Sequence, residues 1–275
     1  MEIAIIMPSS PCKKEALTAG IDILKSWGHT PLLSPLAARP ARRYLSGSRE
    51  ERLNELNWAL DSSAPFIMAG RGGYGIHQLL PYLPEEKIRA LAKPLMGFSD
   101  ITALHQVWLK NGAPVYHGPN VSTLYKLDEE SLRRTEALLS GAPKWPELPP
   151  EFLADRHGEY ELIGGNLAML ASLAGTPYLY KPQKKAILFL EDIAEAPYRL
   201  DRLLHQLWLS GYFAPVEFVL LGEFVNCDPP EDAGYSALDV LLEFFAEIAR
   251  PALAGFPSGH GVTNYPICLG RLSIN

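Results

Sequence analysis

Apolar and polar residues fall into short apolar runs separated by longer stretches of helical period. Glu2 to Met7 is a β-branched apolar run, followed by Pro8-Ser9-Ser10-Pro11 and a stripe in which Ala16, Leu17, Ile21 and Leu24 share one face. This predicts a strand, a loop and a helix. Gly28 ends that helix, Thr30 to Leu33 reads as a second strand, and Ser48 with Glu51 has the spacing of a capping box opening a helix to about Leu60. Pro65 to Ala69 reads as a third strand, followed by a helix beginning near Ile76, a strand Pro94 to Phe98, a helix Ile101 to Lys110, a short strand Pro114 to Tyr116 and a helix Glu129 to Leu139. Such alternation predicts a parallel sheet covered on both faces, with ligands at the carboxyl ends of its strands.

Gly141 to Pro150 holds four prolines in ten residues, which neither a helix nor a central strand tolerates. Beyond it the pattern predicts a helix Asn166 to Leu173, a strand Ala186 to Leu190, a helix Arg199 to Leu209, a strand Val216 to Gly222 and a helix Ala237 to Ile248. The expected fold class is α/β: an amino-terminal parallel-sheet domain over 1–140, a linker over 141–160 and a smaller carboxyl-terminal α/β domain over 161–275. A chain of 275 residues suits two such cores.

Composition narrows the function. Hydrophobic residues at 47% and charged residues at 20% are ordinary for a globular chain. A net charge of −6 gives no general electrostatic reason to bind nucleic acid. The first residues lack the basic flank of a signal peptide, and no stretch reaches the roughly 18 apolar residues of a membrane span, so the expectation is a cytoplasmic protein with no membrane partner. Cys12, Cys227 and Cys268 are odd in number and far apart, which suggests neither a disulfide framework nor a zinc cage. No metal or cofactor is expected.

Three segments carry candidate chemistry. Gly70-Arg71-Gly72-Gly73-Tyr74-Gly75 follows a strand, and its glycines let backbone N–H groups approach an anion or oxyanion; a plain tight turn is the alternative. In Gly97-Phe98-Ser99-Asp100-Ile101-Thr102 a strand turns sharply into a helix, which presents the Ser99 hydroxyl above the sheet and aims the Asp100 N–H at whatever that hydroxyl attacks. The match to a Gly-x-Ser-x-Gly elbow is incomplete, since Ile101 replaces the second glycine, and a helix cap remains the competing reading. A serine nucleophile needs a base. His260, in Pro257-Ser258-Gly259-His260-Gly261, is one candidate among seven histidines, and His117, in His117-Gly118-Pro119, is its nearest rival. Glu191, directly after Ala186 to Leu190, is placed to orient an imidazole; Asp192 and Glu195 are alternatives, as is a plain helix-entry role.

Taken together, the chain resembles the LD-carboxypeptidase family of serine peptidases, which includes the microcin C self-immunity hydrolases. The resemblance rests on Pro8-Ser9-Ser10, Arg71-Gly72-Gly73-Tyr74-Gly75, Gly97-Phe98-Ser99-Asp100-Ile101-Thr102-Ala103-Leu104-His105, His117-Gly118-Pro119, Gly164-Gly165-Asn166-Leu167, Gly175-Thr176-Pro177, Leu190-Glu191-Asp192 and Gly259-His260. It implies a Ser99, His260, Glu191 triad split between two domains, and an oxyanion hole from the N–H of Asp100 and one from Gly72 or Gly73. The implied reaction is release of terminal D-alanine from a murein tetrapeptide in peptidoglycan recycling, without metal, in a family many of whose members are homodimers. Arg71 is a candidate partner for the substrate's terminal carboxylate or a brace for the glycine loop. On the same fold, an immunity-type hydrolase of acyl-sulfamoyl or acyl-phosphoramidate nucleotides would stack adenine on Trp145, Trp208 or Tyr74. A different class, a non-catalytic protein holding a small anion in the glycine loop, is the third reading. A histidine base predicts activity rising near pH 6.5, roughly its ordinary pKa. The chain stops soon after Leu269-Gly270, where relatives run on, so a final strand and any dimer contact through it are in doubt.

Overall fold

The structure, a computed structural model, describes residues 1–35, 37, 41–142 and 157–274. The middle of the expected linker, 143–156, with Trp145 in it, lies outside the described residues. The first half runs β1 (Glu2–Ile6), α1 (Lys14–Ser26), β2 (Thr30–Leu33), α2 (Arg49–Asp61), β3 (Phe66–Ala69), α3 (Glu85–Leu91), β4 (Leu95–Gly97), α4 (Thr102–Lys110), β5 (Val115–His117) and α5 (Glu129–Leu139). The second half runs β6 (Gly158–Asn166), α6 (Leu167–Ser172), β7 (Ala186–Ile193), α7 (Pro197–Leu209), β8 (Val216–Val225), α8 (Ala237–Glu247), β9 (Ala252–Ala254) and β10 (Ile267–Ile274).

These strands form one ten-stranded sheet in the order β2-β1-β3-β4-β5-β10-β6-β7-β8-β9. β10 is antiparallel to β5 on one side and to β6 on the other, while the remaining neighbours pair in parallel. The nine other strands therefore all point the same way, and their carboxyl ends share one edge. Because β10 runs in reverse, its first residues meet that same edge, with Ile267 opposite His117. The final strand that the sequence left in doubt is thus present, and it joins the two halves.

Alternation along the strands explains the layering. Ile3, Ile5, Phe66, Met68 and Met96 pack in one buried cluster, while Ala4, Ile6, Ile67 and Ala69 belong to another, as expected of strands covered by helices on both faces. The Ser48 capping box is formed: its hydroxyl accepts from the Glu51 N–H at 3.2 Å, and the Glu51 carboxylate accepts from the Ser48 N–H at 2.7 Å. The segment after the glycine loop departs from expectation. Two short 3₁₀ turns, Ile76–Gln78 and Leu80–Tyr82, stand where a helix is predicted, because Pro81 and Pro84 lack the N–H that a continuous helix before α3 would need. β6 also went unpredicted, since three glycines and two glutamates hide its alternation. One of those glycines brings the strand against α4: a Cβ at Gly165, at φ +132°, would come 2.7 Å from the Thr102 side chain. The Thr102 hydroxyl in turn accepts the Asn166 N–H at 3.1 Å, joining the halves beside Ser99. Among the described residues, no helix is long and apolar enough to cross a membrane.

Candidate active site

Most of the segments singled out in the sequence lie at or next to the shared edge: Ser9 beyond β1, the glycine loop beyond β3, Ser99 beyond β4, His117 at the end of β5 and Glu191 near the end of β7. Ser99 adopts φ +65°, a left-handed conformation costing an L residue about 1–2 kcal/mol, as a sharp strand-to-helix corner requires. Gly72 lies directly against it. A Cβ there would come 2.8 Å from Ser99 Cβ and 3.1 Å from its Oγ, so only glycine permits the approach. Among the described residues the N–H groups of Gly72, Gly73 and Asp100 donate to no other group, whereas that of Tyr74 donates to Ser10 Oγ at 3.1 Å and that of Ile76 to Asp100 Oδ2 at 3.1 Å.

His260 and Glu191, 69 residues apart, meet through Nδ1 and Oε2 at 2.5 Å. The Glu191 side chain is fully buried and the imidazole nearly so. Burial of that imidazole opposes its cation, but the Glu191 carboxylate, helped by Asp192 and Glu223, outweighs it and holds His260 above the ordinary histidine value. The ring packs on Phe98, the residue before Ser99, with centroids 4.6 Å apart. The structure thus brings the imidazole beside the serine corner, although no hydrogen bond joins His260 to Ser99 among the described residues.

The rival residues are committed elsewhere. His117 is fully buried, and burial first, then His105 and His260, pushes it far below the ordinary value. Neither of its ring nitrogens has a hydrogen-bond partner among the described residues. Asp192 accepts from Asn166 Nδ2 at 2.9 Å and from the Ala168 N–H at 2.8 Å, and burial with the adjacent Glu191 pushes it up to about 6. Glu195 pairs with Arg199 at 3.6 Å. Arg71 donates from Nη1 to the Pro11 carbonyl. Tyr74 stands exposed on the glycine loop, edge-on to Tyr44 at 5.4 Å, whereas Trp208 lies on α7 against His205 and Phe244.

Three supporting groups escaped sequence reasoning. The buried Asp100 carboxylate accepts from Ser9 Oγ at 2.6 Å as well as from Ile76, tying the serine corner to both neighbouring loops. Arg52, fully buried, donates to the Pro8 carbonyl at 2.8 Å, the Gly75 carbonyl at 2.9 Å and Gln78 Oε1 at 2.7 Å, while Glu55 accepts the Met7 N–H at 3.0 Å. A signal for both existed: Arg52, Glu55, Leu56, Ala59 and Leu60 form the inward stripe of α2, so two charges occupy apolar positions. Glu223 is the third. Among the described residues no cluster of side chains could hold a metal ion.

The sequence profile of the LD-carboxypeptidase N-terminal domain matches residues 3–118, and that of the LD-carboxypeptidase C-terminal domain matches residues 159–273. The murein tetrapeptide carboxypeptidase of Pseudomonas aeruginosa is 35% identical over 99% of this chain and 92% of that protein. The crystal structure of muramoyltetrapeptide carboxypeptidase from Oxalobacter formigenes superposes with a TM-score of 0.86 at 30% identity, covering 98% of this chain and 94% of that one. The microcin C7 self-immunity protein shares the fold, with a TM-score of 0.83 at 23% identity over 98% of this chain and 91% of that one.

Proposed function

Because the chain belongs to the LD-carboxypeptidase family, we propose that it is a serine-type enzyme removing the terminal D-alanine of a murein tetrapeptide, with Ser99 as nucleophile, His260 as general base and Glu191 as its orienting carboxylate. The observation that carries this reading is the 2.5 Å contact of His260 with buried Glu191, on a ring packed against the residue preceding the strained Ser99.

In the proposed reaction Ser99 Oγ attacks the scissile carbonyl carbon as its proton passes to His260 Nε2. The bond with Glu191 keeps the Nδ1 proton in place and favours the imidazolium that forms. Such hydrogen bonds are often long before substrate binds and tighten in the complex. The tetrahedral oxyanion is received by the N–H of Asp100 and one from the Gly72-Gly73 pair, and their lack of other acceptors supports this role. His260 then protonates the leaving amine, D-alanine departs, and water activated by the same imidazole releases the shortened peptide. The Arg71 bond to Pro11 supports a bracing role for that guanidinium. Three free cysteines fit a reducing, cytoplasmic setting.

The test is D-alanine release from purified murein tetrapeptide. Ser99→Ala is expected to stay folded and lose about 10⁶-fold in kcat, the scale of nucleophile loss in a comparable hydrolase. Release within tenfold of the parent would remove Ser99 from this role. The rising limb of kcat/KM is expected above pH 6.5, since the base must be neutral and Glu191 holds His260 above its ordinary value.

A further inference from the structure

We propose that Glu223 is a positioning residue for the general base, gripping the His260 loop on both sides of the imidazole. The inference rests on the reading of His260 as base. Glu223 lies near the carboxyl end of β8, where its N–H donates to the Ser258 carbonyl at 3.0 Å. Its carboxylate accepts the Gly261 N–H at 2.6 Å. The residues flanking His260 are both glycines for the same reason. A Cβ at Gly259, at φ +153°, would come 2.9 Å from Glu223 Cβ, and a Cβ at Gly261 would fall on the carboxylate itself. The Gly-His-Gly run is therefore the imprint of one glutamate against the loop backbone.

Glu191 fixes the ring only at Nδ1; the direction of Nε2 also depends on where the backbone holds the His260 Cα. Beyond Gly261 the loop is held from the other half of the molecule: Thr263 Oγ1 donates to Asp128 Oδ2 at 2.6 Å and the Asn264 N–H to Ser131 Oγ at 2.9 Å. Glu223 is the matching hold from the carboxyl-terminal half. It also adds charge. The groups facing His260 are Glu191 and Asp192 from β7, Glu223 from β8 and neutral His117 from β5, and those facing Glu223 are Glu191, His260 and Asp128 at the start of α5.

Kinetics of D-alanine release from murein tetrapeptide test the idea. Glu223→Ala is expected to lower kcat about 10- to 100-fold, the range seen when a supporting partner is lost, with KM within about threefold. Glu223→Gln keeps an oxygen for the Gly261 N–H, so kcat should recover to within about threefold while the rising pH limb moves lower, one negative charge near the imidazolium being gone. Gly261→Ala should cost as much as Glu223→Ala, and the double variant little more than either, because both break one contact. Parental kcat in folded Glu223→Ala, or losses that multiply in the double variant, overturns the proposal. Should Glu223→Ala not fold, an unmoved pH limb in Glu223→Gln overturns it. The base assignment fails separately: His260→Ala with near-parental turnover sinks it whatever the Glu223 variants do.

Discussion

His117 and His260 both pack against the Phe98 ring, with centroids 6.1 and 4.6 Å away, yet their surroundings drive them in opposite directions. Around His117 are Phe98, His105 and Phe189, with no carboxylate bonded to the ring, so burial keeps it neutral far below ordinary pH. Burial acts on His260 as well, but Glu191 stands at 2.5 Å and reverses the outcome. Proximity to the serine corner is therefore shared by both histidines. What separates the proposed base from a core residue here is one buried carboxylate near the end of β7.

The largest effect expected from breaking that contrast is Glu191→Gln. It removes the charge that favours the imidazolium, so His260 falls toward the condition of His117. We expect kcat to drop about 10⁴-fold, as for the equivalent change in another serine hydrolase, and the residual activity to rise at lower pH than the parent's. A parental pH limb in this variant would show that Glu191 does not set the base. A smaller effect is expected from His117→Phe, which keeps a ring of similar size in an apolar setting: kcat within about fivefold and an unmoved limb, because a neutral ring makes no charge contribution. A hundredfold loss with intact folding would make His117 part of the machinery. The smallest effect is on stability. Ser99→Gly abolishes activity but relieves the φ +65° strain, so thermal midpoint should rise by about 2 °C, from roughly 1 kcal/mol or less. A lower midpoint would mean that contacts of the Ser99 side chain outweigh the strain.

Much of this arrangement is legible in the sequence, for identifiable reasons. The strand ends announce themselves because an apolar run stops at a residue that packing alone would not choose: Ser99 after Gly97-Phe98, or Glu191 after five apolar positions. The flanking glycines of His260 mark a backbone in close contact, although not with what. The union of the halves was hidden, since β6 carries glycines that face Thr102 and Phe189 rather than a regular alternation, and β10 pairs with strands more than a hundred residues away on both sides. The Asp100 carboxylate and Glu223 were hidden differently. Their work is to bond the backbone of distant loops, and no spacing in a single sequence records such a partner.

The central claim is that Ser99 is the nucleophile and that His260 activates it, and intact-protein and peptide mass spectrometry after treatment with a fluorophosphonate tests this most directly. The account predicts one adduct, on Ser99, formed at a rate that rises with pH as His260 loses its proton and that collapses in His260→Ala. An adduct on any other residue, or undiminished labelling of Ser99 without the imidazole, would contradict it.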